Sequence, residues 1–393
     1  MRRFSAHLIF TNDGPPLKMG ILTTTDDGTV INVEDTGGVL KESDNVEFLN
    51  GVIIPGFINC HCHLELSHLK GAISGGNGLG AFLTELQKIR INDPDIIISS
   101  ALSADRAMYE EGVELCADIC NNSLTFGIKK ESNISYFNLL EVFSTDPSLA
   151  GKRIQEIVSL AGESERSGLP FSIVPHTVYA VSLPLFRLIK ERTARNRITS
   201  IHFMESEGEE EFVSDHSGPL MEEFSKAGML FPDLQTPESC VSAILDEVTP
   251  SGSLILVHNT FTDRDTVRKI NLRGNVYWCL CPNANLYITD RVPPAPMLSE
   301  ENCDIVIGTD SLASNGSLSI LSEMKTLQQH YPSVSLEDLV RWATINGAKA
   351  LREDNKYGRI APGKKPGLLL LENADLINMK LIPGTTVSRL IKN

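Results

Sequence analysis

The chain has 393 residues, of which 41% are hydrophobic and 22% charged. These soluble-globular values exclude wholesale disorder and fit one large α/β domain with an accessory piece, or two to three small domains. Fifty acidic against 35 basic residues leave a formal net charge of −15, which argues against nucleic-acid binding, since that needs a basic patch.

No apolar run approaches the ~18 residues of a membrane span. The basic start Met1-Arg2-Arg3 is not followed by an apolar segment, because Asn12, Asp13 and two prolines interrupt. A cytoplasmic protein without membrane contact is expected. Eight cysteines in a chain this long are no disulfide framework, and the absence of any C-x-x-C pair argues against a zinc finger.

In chain order, short β-type runs come first: Phe4 to Thr11, Gly20 to Thr24, Val30 to Val33 and Val46 to Leu49. Turn residues at Asp13-Gly14, Asp27-Gly28 and Gly37-Gly38 punctuate them. The middle alternates strands and helices. Strands are expected at Gly56 to Cys60, Val113 to Cys120, Tyr136 to Phe143, Phe171 to Pro175, Ile198 to Phe203, Leu254 to His258, Asn275 to Cys281 and Asp304 to Gly308. Amphipathic spacing predicts helices over Leu79 to Ile91, Lys152 to Glu163, Leu183 to Ala194, Leu318 to Gln329 and Leu336 to Leu351. The end returns to β character at Leu368 to Leu371. The economical solution is α/β: a (β/α)8 TIM barrel over residues 56–355, with a small β-sandwich domain composed of 1–55 and 356–393. A doubly wound open sheet is the alternative.

On a barrel, functional residues belong at strand C-termini. His61 and His63 end the first strand, and alternation puts them on one side with Cys60 and Cys62 facing away. His176 ends the fourth strand, His202 the fifth and His258 the sixth, while Asp310 follows the eighth. Taken singly, each reads as a hydrogen-bonded core or loop residue; six on strand ends together make an active site. Three histidines and one aspartate suit a borderline-soft divalent cation such as zinc, with one position open for water. A bound metal brings that water's pKa toward ~7 and so yields hydroxide. The second, third and fourth strands lack a lysine to bridge two metals, so one ion per chain is expected. Glu205, three residues after His202, can curl back as a proton shuttle. The acidic run Glu207, Glu209, Glu210 and Glu211 beside it reads as a solvated face or lid.

The segments PGFINCHCHLE, PHTVY, HFMES, LVHNT, CPNANL and GTDSLASN occur in that order. Together they resemble the amidohydrolase superfamily, in its deaminase and chlorohydrolase branch, and the resemblance spans essentially the whole chain. It implies a mononuclear site with His61, His63, His202 and Asp310 as metal ligands, zinc being the metal and iron the alternative. Glu205 would be the shuttle. His258 would orient the attacking water and stabilise developing charge, and Asp310 would accept a hydrogen bond from that water. The sequence is most similar to the aminofutalosine and S-adenosylhomocysteine deaminase group, in which His176 would contact substrate and Glu65 a ribose hydroxyl. Lys364-Lys365-Pro366-Gly367 departs from that branch's usual terminal motif, away from the chemistry.

The expected activity is therefore hydrolytic deamination of a heteroaromatic amine, an adenine nucleoside derivative, by metal-bound hydroxide. The expected partner is a small molecule, and a homodimer is compatible with the sequence. Arg291 is a candidate for pairing with an anionic substrate tail. Alternatives are a cyclic amidohydrolase or chlorohydrolase using the same site, a catalytically inactive scaffold, and a metal-independent binding module.

Overall fold

The computed structural model describes residues 1–41, 45–89, 93–230, 233–248 and 252–392. Strands β1 (Arg2–Ile9), β2 (Leu17–Lys18), β3 (Ile21–Thr24), β4 (Val30–Glu34) and β5 (Glu47–Pro55) open the chain. The middle carries β6 (Phe57–Cys62), β7 (Val113–Cys120), β8 (Ser135–Val142) and β9 (Phe171–Pro175). It continues through β10 (Ile198–Phe203), β11 (Ser253–His258), β12 (Val276–Leu280) and β13 (Asp304–Ile307). Near the end come β14 (Leu368–Glu372) and β15 (Thr386–Arg389).

From β6 to β13, consecutive strands pair in parallel as two four-stranded sheets, β6 to β9 and β10 to β13. Two bridges join these halves into a ring: Cys62 pairs with Asp310, and Thr177 with His202. The result is the closed barrel, and the open-sheet alternative falls away. Residues alternating along all eight strands, such as Ile58, Leu115, Phe137, Val174, Ile255, Cys279 and Val306, share one inner cluster. Their neighbours, such as Cys116, Leu140, Leu256, Trp278 and Ile307, pack outward into the helical layer. Burial on both faces is why these strands read as continuous apolar runs in the sequence.

The helix predicted over Leu79 to Ile91 is α1 (Leu79–Ile89); Arg90 and Ile91 lie outside the described residues. It is followed by α2 (Pro94–Glu110) and α3 (Phe126–Glu131). The single helix predicted over Leu336 to Leu351 is two, Leu336–Ala343 and Ile345–Ala350. Thr344 breaks it with φ −133° and ψ −89°. Its hydroxyl donates to the Val340 carbonyl at 2.5 Å and accepts from Asn12 Nδ2 at 2.8 Å. The barrel's last helices are thereby tied to the end of the first β segment. Among the described residues, no helix is long and apolar enough to cross a membrane.

Both chain ends build one seven-stranded sheet in the order β15-β14-β5-β1-β3-β4, with β2 on β1. Ile53, Leu368 and Leu370 turn to a cluster with Phe4, Ala6 and Leu22, whereas Val52, Ile54, Leu369 and Leu371 face the main core. This is the period-2 alternation of a sheet packed on both faces. Strand β15 was not foreseen, because Thr-Val-Ser-Arg offers only one large apolar side chain. Its Arg389 is nonetheless buried: the guanidinium lies 3.8 Å over the Tyr109 ring, pairs with buried Glu114 and donates to the Val113 carbonyl at 2.7 Å.

Removing that guanidinium would leave the Glu114 carboxylate buried and unpaired. Arg389→Ala is expected to destabilise the fold by about 3–5 kcal/mol, read as a lowered unfolding midpoint. A second change, Glu114→Gln, should recover part of the loss.

Candidate active site

The first strand of the barrel carries an extra residue. Asn59 pairs with Cys116 but Cys62 pairs with Asp118, so three steps on β6 match two on β7. This β-bulge re-aims the side chains that follow. Cys60 packs in the inner cluster with Ile58, whereas Cys62 faces outward, which corrects the shared side expected for the two cysteines. His61 and His63 converge, with their Nε2 atoms 3.1 Å apart. Asp310 Oδ1 lies 3.5 Å from His61 Nε2 and 3.3 Å from His63 Nε2. The backbone N–H groups of Thr309 and Asp310 donate to the His61 carbonyl at 2.9 and 3.1 Å. Glycine is needed at 308 for this approach, since a Cβ there would sit 2.8 Å from His61 Cβ.

His202 and His258 complete the cluster. His202 Nδ1 donates to the His176 carbonyl at 2.9 Å; a carbonyl can only accept, so Nε2 of His202 keeps its lone pair for the cavity. Burial, then the neighbouring histidines, pushes the His202 pKa well down, and burial also lowers that of His63. His258 accepts from Asn285 Nδ2 at 3.2 Å through Nδ1, and burial pushes its pKa down to about 3. It is therefore a neutral imidazole whose Nε2 carries the proton, 3.6 Å from Glu205 Oε1. Burial raises the Asp310 pKa, but the His61 hydrogen bond and neighbouring histidines outweigh it and hold the carboxyl well below the usual range. His258 and Asp310 adopt positive φ values of 77° and 56°, strained conformations of the kind that collect at functional sites.

Glu205 is buried, and burial, with Asp310 and Glu209 nearby, pushes its pKa well up. Glu209 is not part of a solvated face. It is buried, and its carboxylate accepts from the backbone N–H groups of Met204, Glu205 and Ser206 at 2.9, 2.7 and 2.8 Å. It thus fixes the turn that presents Glu205, while Glu207 and Glu211 are exposed. Glu141, unremarked in the sequence, is the penultimate residue of β8 and lies 2.6 Å from His176 Nδ1. Burial opposes ionisation of both partners, yet their mutual attraction lowers Glu141 to about 2 and raises His176. The strand-end rule applied to histidines alone missed it.

Glu65 is buried beside the site. Its Oε2 accepts from Asn122 Nδ2 at 2.8 Å and from the Asn121 N–H at 3.2 Å. Below it, Asp118 accepts from the Leu64 N–H at 2.7 Å, immediately after His63, and pairs with Lys129 of α3 at 2.5 Å. Both charges of that pair are fully buried. Burial lowers the Lys129 pKa, but Asp118 outweighs it and raises the net value. Glu323 is also fully buried, accepting from the Asn283 N–H at 2.9 Å and Asn315 Nδ2 at 2.7 Å. Arg291 is exposed and does not line the cavity.

These side chains meet in one cavity of about 70 Å³, whose polar wall includes His63, His176, His202, Glu205, His258 and Asp310. The ligand atoms of His61, His63 and Asp310 lie within 4.8 Å of one another, as do those of His61, His202 and His258. His61 is wholly buried and its Nδ1 has no hydrogen-bond partner. Imidazoles and a carboxylate crowded at this distance are a donor set suited to a divalent cation of zinc type.

The chain is similar to known proteins. The model of the amidohydrolase family matches residues 52–390. A 5-methylthioadenosine/S-adenosylhomocysteine deaminase of Pyrococcus abyssi is 24% identical, covering 89% of this chain and 80% of that one. The structure of Helicobacter pylori aminofutalosine deaminase superposes with a TM-score of 0.79 at 20% identity, covering 99% of this chain and all of that one. An adenosine deaminase from Xanthomonas campestris with bound zinc gives a TM-score of 0.70 at 19% identity, over 95% of this chain and 85% of that one.

Glu323 generates a pH prediction. Burial raises its pKa from 4.5 to about 8. Its contribution to stability is complete below the unfolded value and is lost as pH rises through the folded one. The opposing contribution of histidines with lowered pKa is complete above their ordinary value of 6.5. Between pH 6.5 and 8 the thermal midpoint of wild type should therefore fall relative to that of Glu323→Gln, as read by parallel melts of metal-free protein.

Proposed function

As the chain belongs to the amidohydrolase family, we propose that it is a metal-dependent hydrolase of non-peptide carbon–nitrogen bonds that deaminates an adenine nucleoside derivative. The observation that carries this reading is Glu205. A carboxyl group whose pKa burial pushes well up lines the same cavity as the histidines and Asp310. Deamination needs such a group, because a proton must reach the ring nitrogen and later the leaving amine.

His61, His63, His202 and Asp310 would hold one divalent cation, zinc being the one their donor types suit best. Such a cation supplies Lewis acidity, bringing a water's pKa toward ~7. The remaining chemistry falls to the chain. Asp310 accepts a hydrogen bond from the attacking water through its carboxylate. Glu205 gives its proton to the ring nitrogen next to the reacting carbon as the water oxygen bonds to that carbon. The regenerated carboxylate takes the water's proton and passes it to the amino group. The carbon–nitrogen bond breaks, ammonia leaves, and the remaining hydroxyl proton returns to the Glu205 carboxylate as the carbonyl forms.

The neutral His258 directs its Nε2–H toward the oxygen that gains charge, the preorganised stabilisation that usually dominates such barriers. The charged Glu141–His176 pair leaves His176 to orient the substrate. Glu65 would take a ribose hydroxyl, its carboxylate already oriented by Asn121 and Asn122.

Glu205→Gln should bind metal as wild type does but lose ~10²–10⁴-fold in turnover. Ammonia release by metal-quantified protein checks this, and unchanged turnover would remove Glu205 from the mechanism.

A further inference from the structure

The turn after the last barrel strand carries a directed chain of hydroxyl groups that ends at the cavity. Asp310 divides its two oxygens. Oδ1 faces the Nε2 atoms of His61 and His63 at 3.5 and 3.3 Å. Oδ2 accepts a hydrogen bond from the Ser314 hydroxyl at 2.5 Å. The same hydroxyl lies 3.3 Å from the Ser311 carbonyl, but that carbonyl already accepts the Ser314 N–H at 3.3 Å. A hydroxyl has one proton to give, and the shorter, charge-assisted bond to the carboxylate takes it.

That choice fixes the next link. Ser311 Oγ lies 3.2 Å from Ser314 Oγ. With the Ser314 proton committed to Asp310, Ser311 must be the donor of this pair. Its own proton is thereby committed as well, and the lone pairs of its oxygen can only accept. Ser311 lines the cavity beside Asp310, and both serines are buried. The turn that carries them is clamped, because Asn315 Nδ2 donates to the Thr309 carbonyl at 2.8 Å and to Glu323 Oε1 at 2.7 Å. Ser311 is an acceptor held in place.

In the deaminase reading, the reacting carbon meets the attacking water beside Asp310, and the amino group it loses has N–H bonds to give. We propose that Ser311 accepts a hydrogen bond from that amino group and so favours an amine as the leaving group. The bond strengthens as Glu205 protonates the nitrogen, since a charged donor is held more strongly than a neutral one. It therefore lowers the barrier rather than only tightening substrate binding. A leaving group without an N–H, such as a halogen, would set its lone pairs against those of Ser311. This inference rests on the deaminase reading and adds a leaving-group contact to it.

The test compares two substrates that yield one product: 5′-methylthioadenosine and its analogue with a 6-chloro group in place of the amine. Formation of 5′-methylthioinosine from each is followed with zinc-loaded, full-length wild type and Ser311→Ala. The variant should lose about 10–100-fold in kcat on the amine, the size of a hydrogen bond to a charged group. Turnover of the chloro compound should change far less, so the amine-to-chloro ratio falls. Ser311→Gly removes the same hydroxyl and should reproduce the shift. Zinc per chain, measured alongside, should equal that of wild type; its loss from both variants would make Ser311 a support for Asp310 and overturn the assignment. A loss on the amine below about threefold, smaller than a typical neutral hydrogen bond, or an equal loss on both substrates would also overturn it and leave the deaminase reading standing. No product from 5′-methylthioadenosine or adenosine with zinc-loaded wild type would defeat the deaminase reading and this inference with it.

Discussion

Everything in this structure answers to one electrostatic constraint. Four histidines, Glu205 and Asp310 are held together in a buried site, where each charge is costly unless it is paired or neutralised. The barrel meets the constraint at its seams. The two half-sheets are joined by bridges that involve His202 on one side and Asp310 on the other, so residues that close the ring also stand in the candidate site. A site built from the seam of a closed barrel cannot spread without opening the fold.

A surrounding layer of buried polar groups keeps each side chain in the required state. The Asp118–Lys129 pair grips the backbone directly after His63, Glu209 grips the turn before and after Glu205, and Glu141 orients His176. None of these acids could be left unsatisfied at such depth. Burial and the contacts among the site groups drive their pKa values in different directions: those of His202, His258 and Asp310 fall, and that of Glu205 rises. Carboxyl groups driven apart in pKa by their environments are what acid–base catalysis at neutral pH demands.

The strands of the barrel were legible because parallel strands buried on both faces must be apolar throughout, and each predicted segment overlaps its observed strand closely. The histidines were legible because strand ends are where a barrel presents function. Features that depend on registry or tertiary contact were not. The bulge that puts Cys60 and Cys62 on opposite sides leaves no mark in Asn59-Cys60-His61-Cys62-His63. Thr344 looks like an ordinary helical position until Asn12 arrives from more than 300 residues away. Glu209 sits among exposed acids of the same type, and only the fold distinguishes the one that accepts three backbone N–H groups. Composition suggested a solvated run, whereas the turn's unpaired donors required one member to be buried.

The central claim, that one metal ion held by His61, His63, His202 and Asp310 supports deamination, is tested most directly by titrating zinc into metal-stripped protein. Ammonia release from 5′-methylthioadenosine would be followed at each ratio of metal to chain. The account predicts no release without metal and a linear rise that saturates at one ion per chain. Turnover that persists in the metal-free protein, or that saturates only at two ions, would contradict it.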